Sequence, residues 1–296
     1  MRWCPAAGCE HVVLAAGITQ VRCNCGMPFC FRCGEEAHAP ATCEQLIAWI
    51  EKCQNESETA NWILANTKRC PACKTRIEKN QGCNHMTCRV CKHEFCWICN
   101  GPWSEHGANT GGYYKCNKYD ANQLPAEESA AQKAKAELER YLHYYKGYAA
   151  HAESLKYANQ QRDAAERRMV EMQETERSAW IDVQFLKTAV ELLIDCRRVL
   201  KYTYVLGYFL EDGSNEKELF EHHQSNLQAF TEHLSGLTEK EFGQMNRTEV
   251  VNYTRVTEKF MHSLLQSVSD GLMSDAQDVV GVSLAITAGT EEKTSG

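Results

Sequence analysis

Two kinds of text are joined in this chain. Together they predict small zinc-stabilised α+β modules followed by an all-α helical bundle. Sixteen of the seventeen cysteines lie between Cys4 and Cys116. Several form C-x-x-C pairs, namely Cys30/Cys33, Cys70/Cys73, Cys88/Cys91 and Cys96/Cys99. Two thiolates at that spacing turn onto one tetrahedral Zn²⁺ from a tight turn. Beyond about Asn117 the cysteines give way to apolar residues at helical spacing among strong helix formers.

Charge divides the chain at the same place. The first 120 residues carry 13 Lys+Arg against 11 Asp+Glu, and the remainder carries 19 against 28. That balance excludes the basic footprint of a nucleic-acid binder. No run of about eighteen apolar residues occurs, so no membrane partner is expected. The opening MRWCPAAGCEH lacks an apolar signal region. The expected setting is therefore reducing, cytoplasmic or nuclear, where such cysteines hold zinc instead of forming disulfides.

The first module is expected over residues 1–43. Cys4, Cys9, Cys23, Cys25, Cys30, Cys33, His38 and Cys43 make eight ligands for two ions. The apolar text between them is too thin for a core, so metal must supply folding free energy. His38 is preferred to His11 because it closes a Cys-x2-Cys-x4-His-x4-Cys run, and His11 reads as a surface residue. Residues 44–69 form a linker of one or two short helices, EQLIAWIEKCQ and SETANWILANT. Cys53 falls in it as a half-buried free thiol.

The second module, residues 70–117, repeats the inventory with Cys70, Cys73, Cys88, Cys91, Cys96, Cys99, His106 and Cys116. The expected pairing gives the first four to one ion and the last four to the other. An interleaved pairing competes, and His93 is the alternative to His106. Four Zn²⁺ ions are expected in all. Residues 118–275 read as four to five helices, with a fifth starting near Thr238 and Glu241 placed for a capping box. Tyr141, Tyr144, Tyr145, Tyr148 and Tyr157 read as packing, and residues 276–296 as a frayed tail.

Cys83 is left over from the metal count. It stands in the turn GCNHM, flanked by ligands, with His85 two residues on. A thiol attacks as its thiolate, and an adjacent imidazole can take that proton or deprotonate an incoming amine. Glu94 either orients His85 or is simply solvated. The bland reading of Cys83 is a buried thiol without chemistry.

These motifs resemble a known family. Residues 4–43 resemble the in-between-RING domain, and residues 70–116 the catalytic second RING-like domain, of RING-between-RING ubiquitin ligases. SETANWILANTK, GCNHMTCRVCKHEFCWICNGPWSEHG and the helical remainder are similar to the Ariadne subfamily. The resemblance implies that ubiquitin passes from a conjugating enzyme to Cys83 as a thioester, then to a substrate amine. It implies sequential zinc sites, His85 as catalytic histidine and Glu94 as a third, acidic residue. It also implies that the helical domain masks the cysteine until a partner, typically a neddylated cullin-RING ligase, releases it. Tyr157 and Glu232 align with masking contacts. Ala158 stands where the family has an acidic residue, so masking weaker than the family norm is expected. The family's first RING, which recruits the conjugating enzyme, is absent from the text, and weak donor recruitment is expected. The alternative to the transferase is a non-catalytic zinc scaffold that binds ubiquitin or a cullin-RING complex.

Overall fold

A computed structural model describes residues 1–15, 17–56, 68–79, 82–106, 115–119, 130–175, 181–240 and 244–271. The second expected linker helix and the expected tail lie outside these residues.

Each zinc module is built on short antiparallel hairpins. In the first, β1 (Arg2–Trp3) pairs with β2 (Val12–Val13), and β3 (Gln20–Arg22) with β4 (Pro28–Cys30). In the second, β5 (His85–Thr87) pairs with β6 (Glu94–Cys96). Strands of two or three residues are too short to be stable alone in water, so metal and packing must hold them.

Helix α1 (Cys43–Asn55) starts at a capping box, with Thr42 accepting from the Gln45 backbone and Gln45 reaching back to Thr42. Its Leu46 and Trp49 are buried against Tyr141, Tyr144, Tyr202 and Tyr204 of the helical domain. The tyrosines at 141, 144, 145 and 148 therefore pack the interface between α1 and the bundle. Cys53 is half-buried at its edge.

Among the described residues four helices follow: α2 (Ala130–Thr175), α3 (Ile181–Phe209), α4 (Asn215–Thr238) and α5 (Arg247–Ser269). The first, α2, is one helix of 46 residues, about 69 Å long at 1.5 Å per residue. Gly147 does not break it because the glycine serves a close crossing. A Cβ there would run into the ring of Tyr204 on α3.

The expected cap at Thr238 and Glu241 is corrected. Thr238 is the last residue of α4, Glu241 lies outside the described residues, and α5 starts nine residues later at Arg247, where the N-cap Asn246 accepts from the Glu249 backbone N–H at 3.2 Å. The bundle core runs through Leu193 and Leu200 of α3, Leu227 and Leu234 of α4, and Val250 and Leu264 of α5. A separate cluster of Met86, Phe95, Trp97 and Ile98 seats the second module on Ala150 of α2. No helix among the described residues is long and apolar enough to cross a membrane.

Candidate metal and catalytic sites

The cysteines gather into four groups, each with its ligand atoms within 4.8 Å of one another. They are Cys4/Cys9/Cys23/Cys25, Cys30/Cys33/His38/Cys43, Cys70/Cys73/Cys88/Cys91 and Cys96/Cys99/His106/Cys116. All four are sequential, so the interleaved alternative is not adopted, and His93 stacks on Phe95 outside the groups.

Their spacing fits zinc. The Sγ–Sγ separations include 3.6 Å for Cys4–Cys25, 3.7 Å for Cys30–Cys43, 3.5 Å for Cys70–Cys91 and 3.6 Å for Cys73–Cys88. A tetrahedron of 2.3 Å Zn–S bonds has an edge of about 3.8 Å. Each histidine has one ring nitrogen anchored on a carbonyl. His38 Nδ1 lies 2.8 Å from Ala41 O and His106 Nδ1 3.0 Å from Pro102 O. That leaves both Nε2 atoms for metal, beside Cys33 Sγ at 3.4 Å and Cys99 Sγ at 3.1 Å. His11 is exposed, though its Nδ1 is 3.2 Å from Cys9 Sγ.

Cys83 belongs to none of the groups. It precedes β5, and the β5–β6 register sets His85 opposite Cys96 and Thr87 opposite Glu94. The two polar side chains thereby meet, with His85 Nε2 3.3 Å from Glu94 Oε2. The imidazole stacks on Trp103 at 4.2 Å between ring centroids. Cys83 Sγ accepts from the His85 backbone N–H at 3.4 Å. The ladder thus assembles a thiol, an imidazole and a carboxylate from residues up to eleven apart.

The helical domain covers this turn. Glu232 of α4 accepts from the Asn84 backbone N–H at 2.6 Å and from its Nδ2 at 2.7 Å. Arg197 of α3 donates to the same carboxylate at 2.5 and 3.2 Å, and both charged side chains are buried. Glu239 accepts from the Cys83 backbone N–H at 3.2 Å. The Tyr157 hydroxyl donates to the Lys79 carbonyl, and Lys79 Nζ donates to Asn84 Oδ1 at 3.0 Å and to Ser154 Oγ at 2.5 Å. Cys83 is left 9% exposed.

Electrostatics follow from that burial. Burial, with the carboxylates of Glu232 and Glu239 close by, pushes the Cys83 thiol well above its usual range. Burial would also raise the Glu232 carboxyl, but the charge and hydrogen bonds of Arg197 outweigh it and hold the group at about 2. Burial, and then the Arg197 cation, bring Lys79 down to about 8.

Tyr157 and Glu232 thus both lie against the Cys83 turn, whereas Ala158 is buried in an apolar cluster with Leu186 and Val190. Sequence reasoning missed Asn84, Arg197, Glu239 and Lys79. Asn84 was visible inside GCNHM, but nothing marks Arg197 as its neighbour from 113 residues away.

Comparison with known proteins places matching domains along the chain. Residues 1–43 match the IBR domain described as a half RING-finger, residues 65–112 match the IBR domain, and residues 139–279 match the Ariadne domain. The chain belongs to the Ariadne family. It is 46% identical over 248 residues to the E3 ubiquitin-protein ligase dbl4 of Schizosaccharomyces pombe, covering 81% of this chain and 48% of that protein. It is 43% identical over 279 residues to the E3 ubiquitin-protein ligase ariadne-1 of Drosophila melanogaster, covering 92% and 54%. The probable E3 ubiquitin-protein ligase rbrA of Dictyostelium discoideum is 40% identical over 292 residues, covering 93% and 56%. The chain spans about half the length of these curated relatives. The Ariadne domain supplies every residue that covers Cys83 in the contacts above.

Proposed function

We propose that this chain is a ubiquitin transferase whose carrier is Cys83. The observation that carries the reading is a cysteine outside all four metal groups, joined through one hairpin to a hydrogen-bonded His85–Glu94 pair. The Cys83 thiolate attacks the carbonyl carbon of ubiquitin's C-terminal thioester on a conjugating enzyme, and that enzyme's thiolate leaves. A substrate amine then attacks the new thioester and loses a proton to His85, and the Cys83 thiolate departs as an amide forms. Glu94 holds the imidazole and favours the imidazolium that results. Zinc is structural in this scheme and fixes the hairpins that bring these groups together.

The closed arrangement supports a masked resting state. A buried, protonated thiol is a poor nucleophile, and the α3–α4 contacts to Asn84 and Cys83 must part before a ubiquitin-charged enzyme can reach it. Release falls to a partner that binds the open form better, and a neddylated cullin-RING ligase is the proposed one. The proposed setting is cytoplasmic or nuclear.

The test mixes zinc-loaded protein with a ubiquitin-charged conjugating enzyme and resolves the products without reductant. Wild type, Cys83→Ala and Glu232→Gln are run side by side. An adduct that reductant and Cys83→Ala both abolish, and Glu232→Gln increases, is the expected result. No adduct in Glu232→Gln, even with a first RING supplied in cis, would leave a zinc scaffold as the reading.

A further inference from the structure

A cavity of about 660 Å³ opens between the second zinc module and α2, with Lys79, a hydrogen-bond partner of Asn84, on its wall. Four lysines line it, Lys68 just before the second module, Lys79 within it, and Lys146 and Lys156 from α2. Among the described residues Glu78 and Glu153 are the acids on its wall, so that lining is net +2 by count. The rest of the wall is largely apolar or aromatic and includes Ile77, Trp97 and Tyr145.

These charges are not internally matched. Among the described residues, none of the four lysines has an ion pair. The other buried lysines, Lys201 and Lys217, are paired with Glu36 and Asp212. Lys79 is 5% exposed, and its ammonium meets only a neutral amide and a hydroxyl. Lys68 donates to the carbonyls of Trp97 and Ile98, and its ammonium lies 5.0 Å from the centroid of the Trp97 ring. Burying a cation such as Lys79 without an anion is costly, and four like charges gathered around one cavity repel one another.

We infer that this cavity is a binding site for a small organic phosphate, whose anionic groups meet the four lysines while its apolar or planar body lies on the Trp97 and Tyr145 wall. Flexible ammonium groups suit phosphate as point charges, and the volume is that of a small-molecule site. The lysines come from both sides of the interface, so the site is complete only while the second module sits on α2. A ligand held there stabilises the closed form by mass action. That regulatory consequence rests on the masking proposed above. The site itself does not.

The test is calorimetric titration of the full zinc-loaded chain with adenosine diphosphate and with inorganic pyrophosphate. One-to-one binding of the nucleotide is expected, tighter than that of pyrophosphate. Lys146→Glu/Lys156→Glu should weaken it more than tenfold, and Glu153→Gln should strengthen it. These three positions are half-buried or exposed on α2, and circular dichroism checks that the variants keep their helices. No heat with either probe, or an affinity untouched by the double variant, overturns the site. Equal affinity for the two probes overturns the contact with the organic body. At nucleotide ten times its Kd, alkylation of Cys83 should slow about tenfold in wild type and not in the double variant. Binding that leaves alkylation unchanged overturns the coupling to the mask.

Discussion

The two zinc modules are near repeats, and they differ where the chemistry is. In the first, Gln20 pairs with Cys30, Val21 with Phe29 and Arg22 with Pro28. In the second, His85 pairs with Cys96, Met86 with Phe95 and Thr87 with Glu94. Phe29 and Phe95 are both fully buried, and each makes an isolated bridge, to Glu36 and Pro102 respectively. The tight turns also correspond. The left-handed positions held by Gly26 and Gly34 in the first module are held by Lys92 and Asn100 in the second.

Superimposing the registers sets Ile18 where Cys83 stands, Gln20 where His85 stands and Pro28 where Glu94 stands. Gln20 accepts from the backbone N–H of the ligand His38 at 3.0 Å, whereas His85 reaches Glu94. Ile18 is exposed and Cys83 is covered by the Ariadne domain. One scaffold therefore serves twice. A few side chains at fixed register positions separate a structural module from a candidate carrier, and only the second needs a cover.

The largest test of this contrast exchanges what the modules lose. Cys83→Ala should abolish the ubiquitin adduct completely while zinc analysis still finds four ions per chain. Cys23→Ala should do the reverse, losing a metal ion and the fold around it, because a structural zinc site contributes on the order of 10 kcal/mol. An adduct that persists in Cys83→Ala would make the modules functionally alike.

Next in size is the imidazole. His85→Gln should give the second module the first module's residue and slow discharge of a preformed adduct to amine by about a hundredfold, the usual span of one proton-transfer group. Formation of the adduct should change far less, and single-turnover discharge separates the two steps.

The cover should respond more modestly. Glu232→Gln keeps the shape but weakens the hold on Asn84, and alkylation of Cys83 at pH 7 should rise about tenfold. The same carboxyl gives a pH signature. Its pKa is held at about 2 in the folded chain, below the usual 4.5. Its stabilisation is therefore full above about pH 4.5 and is lost as pH falls through about 2. Wild type should lose unfolding free energy across that window by denaturant titration, and Glu232→Gln should lose less. Smallest is Glu94→Ala. Its carboxylate and His85 are both substantially exposed, and such pairs contribute under about 1 kcal/mol. Discharge should slow only about threefold.

Much of this was legible because metal and ladder chemistry are local. A thiolate pair two residues apart declares itself, and the surplus of one cysteine in the second cluster marks Cys83. The sequence left Glu94 open between orienting His85 and being solvated, and their meeting follows from a three-residue ladder. The helices were legible by period but not by boundary. The period does not reveal why Gly147 is a glycine, since its reason is tertiary: it admits the Tyr204 ring. The cover was legible only by resemblance. Arg197 has no local signature, because its reason to be buried is a carboxylate on another helix and an amide in another domain.

Helix α3 has a mechanical consequence that belongs to neither module alone. Within the stretch from Asp195 to Tyr204, about 14 Å of helix, it touches both. Asp195 meets Arg22, and Lys201 and Tyr202 meet Glu36, all in the first module. Arg197 grips the carboxylate that holds Asn84, and Tyr204 donates to Asn117 at 2.8 Å beside the last ligand of the second. One rigid rod thus gears the two modules together, so a rotation that frees Asn84 also strains the first module's ion pairs. The proposed opening is therefore expected to be a concerted jump between two states, with few partly loosened forms between them.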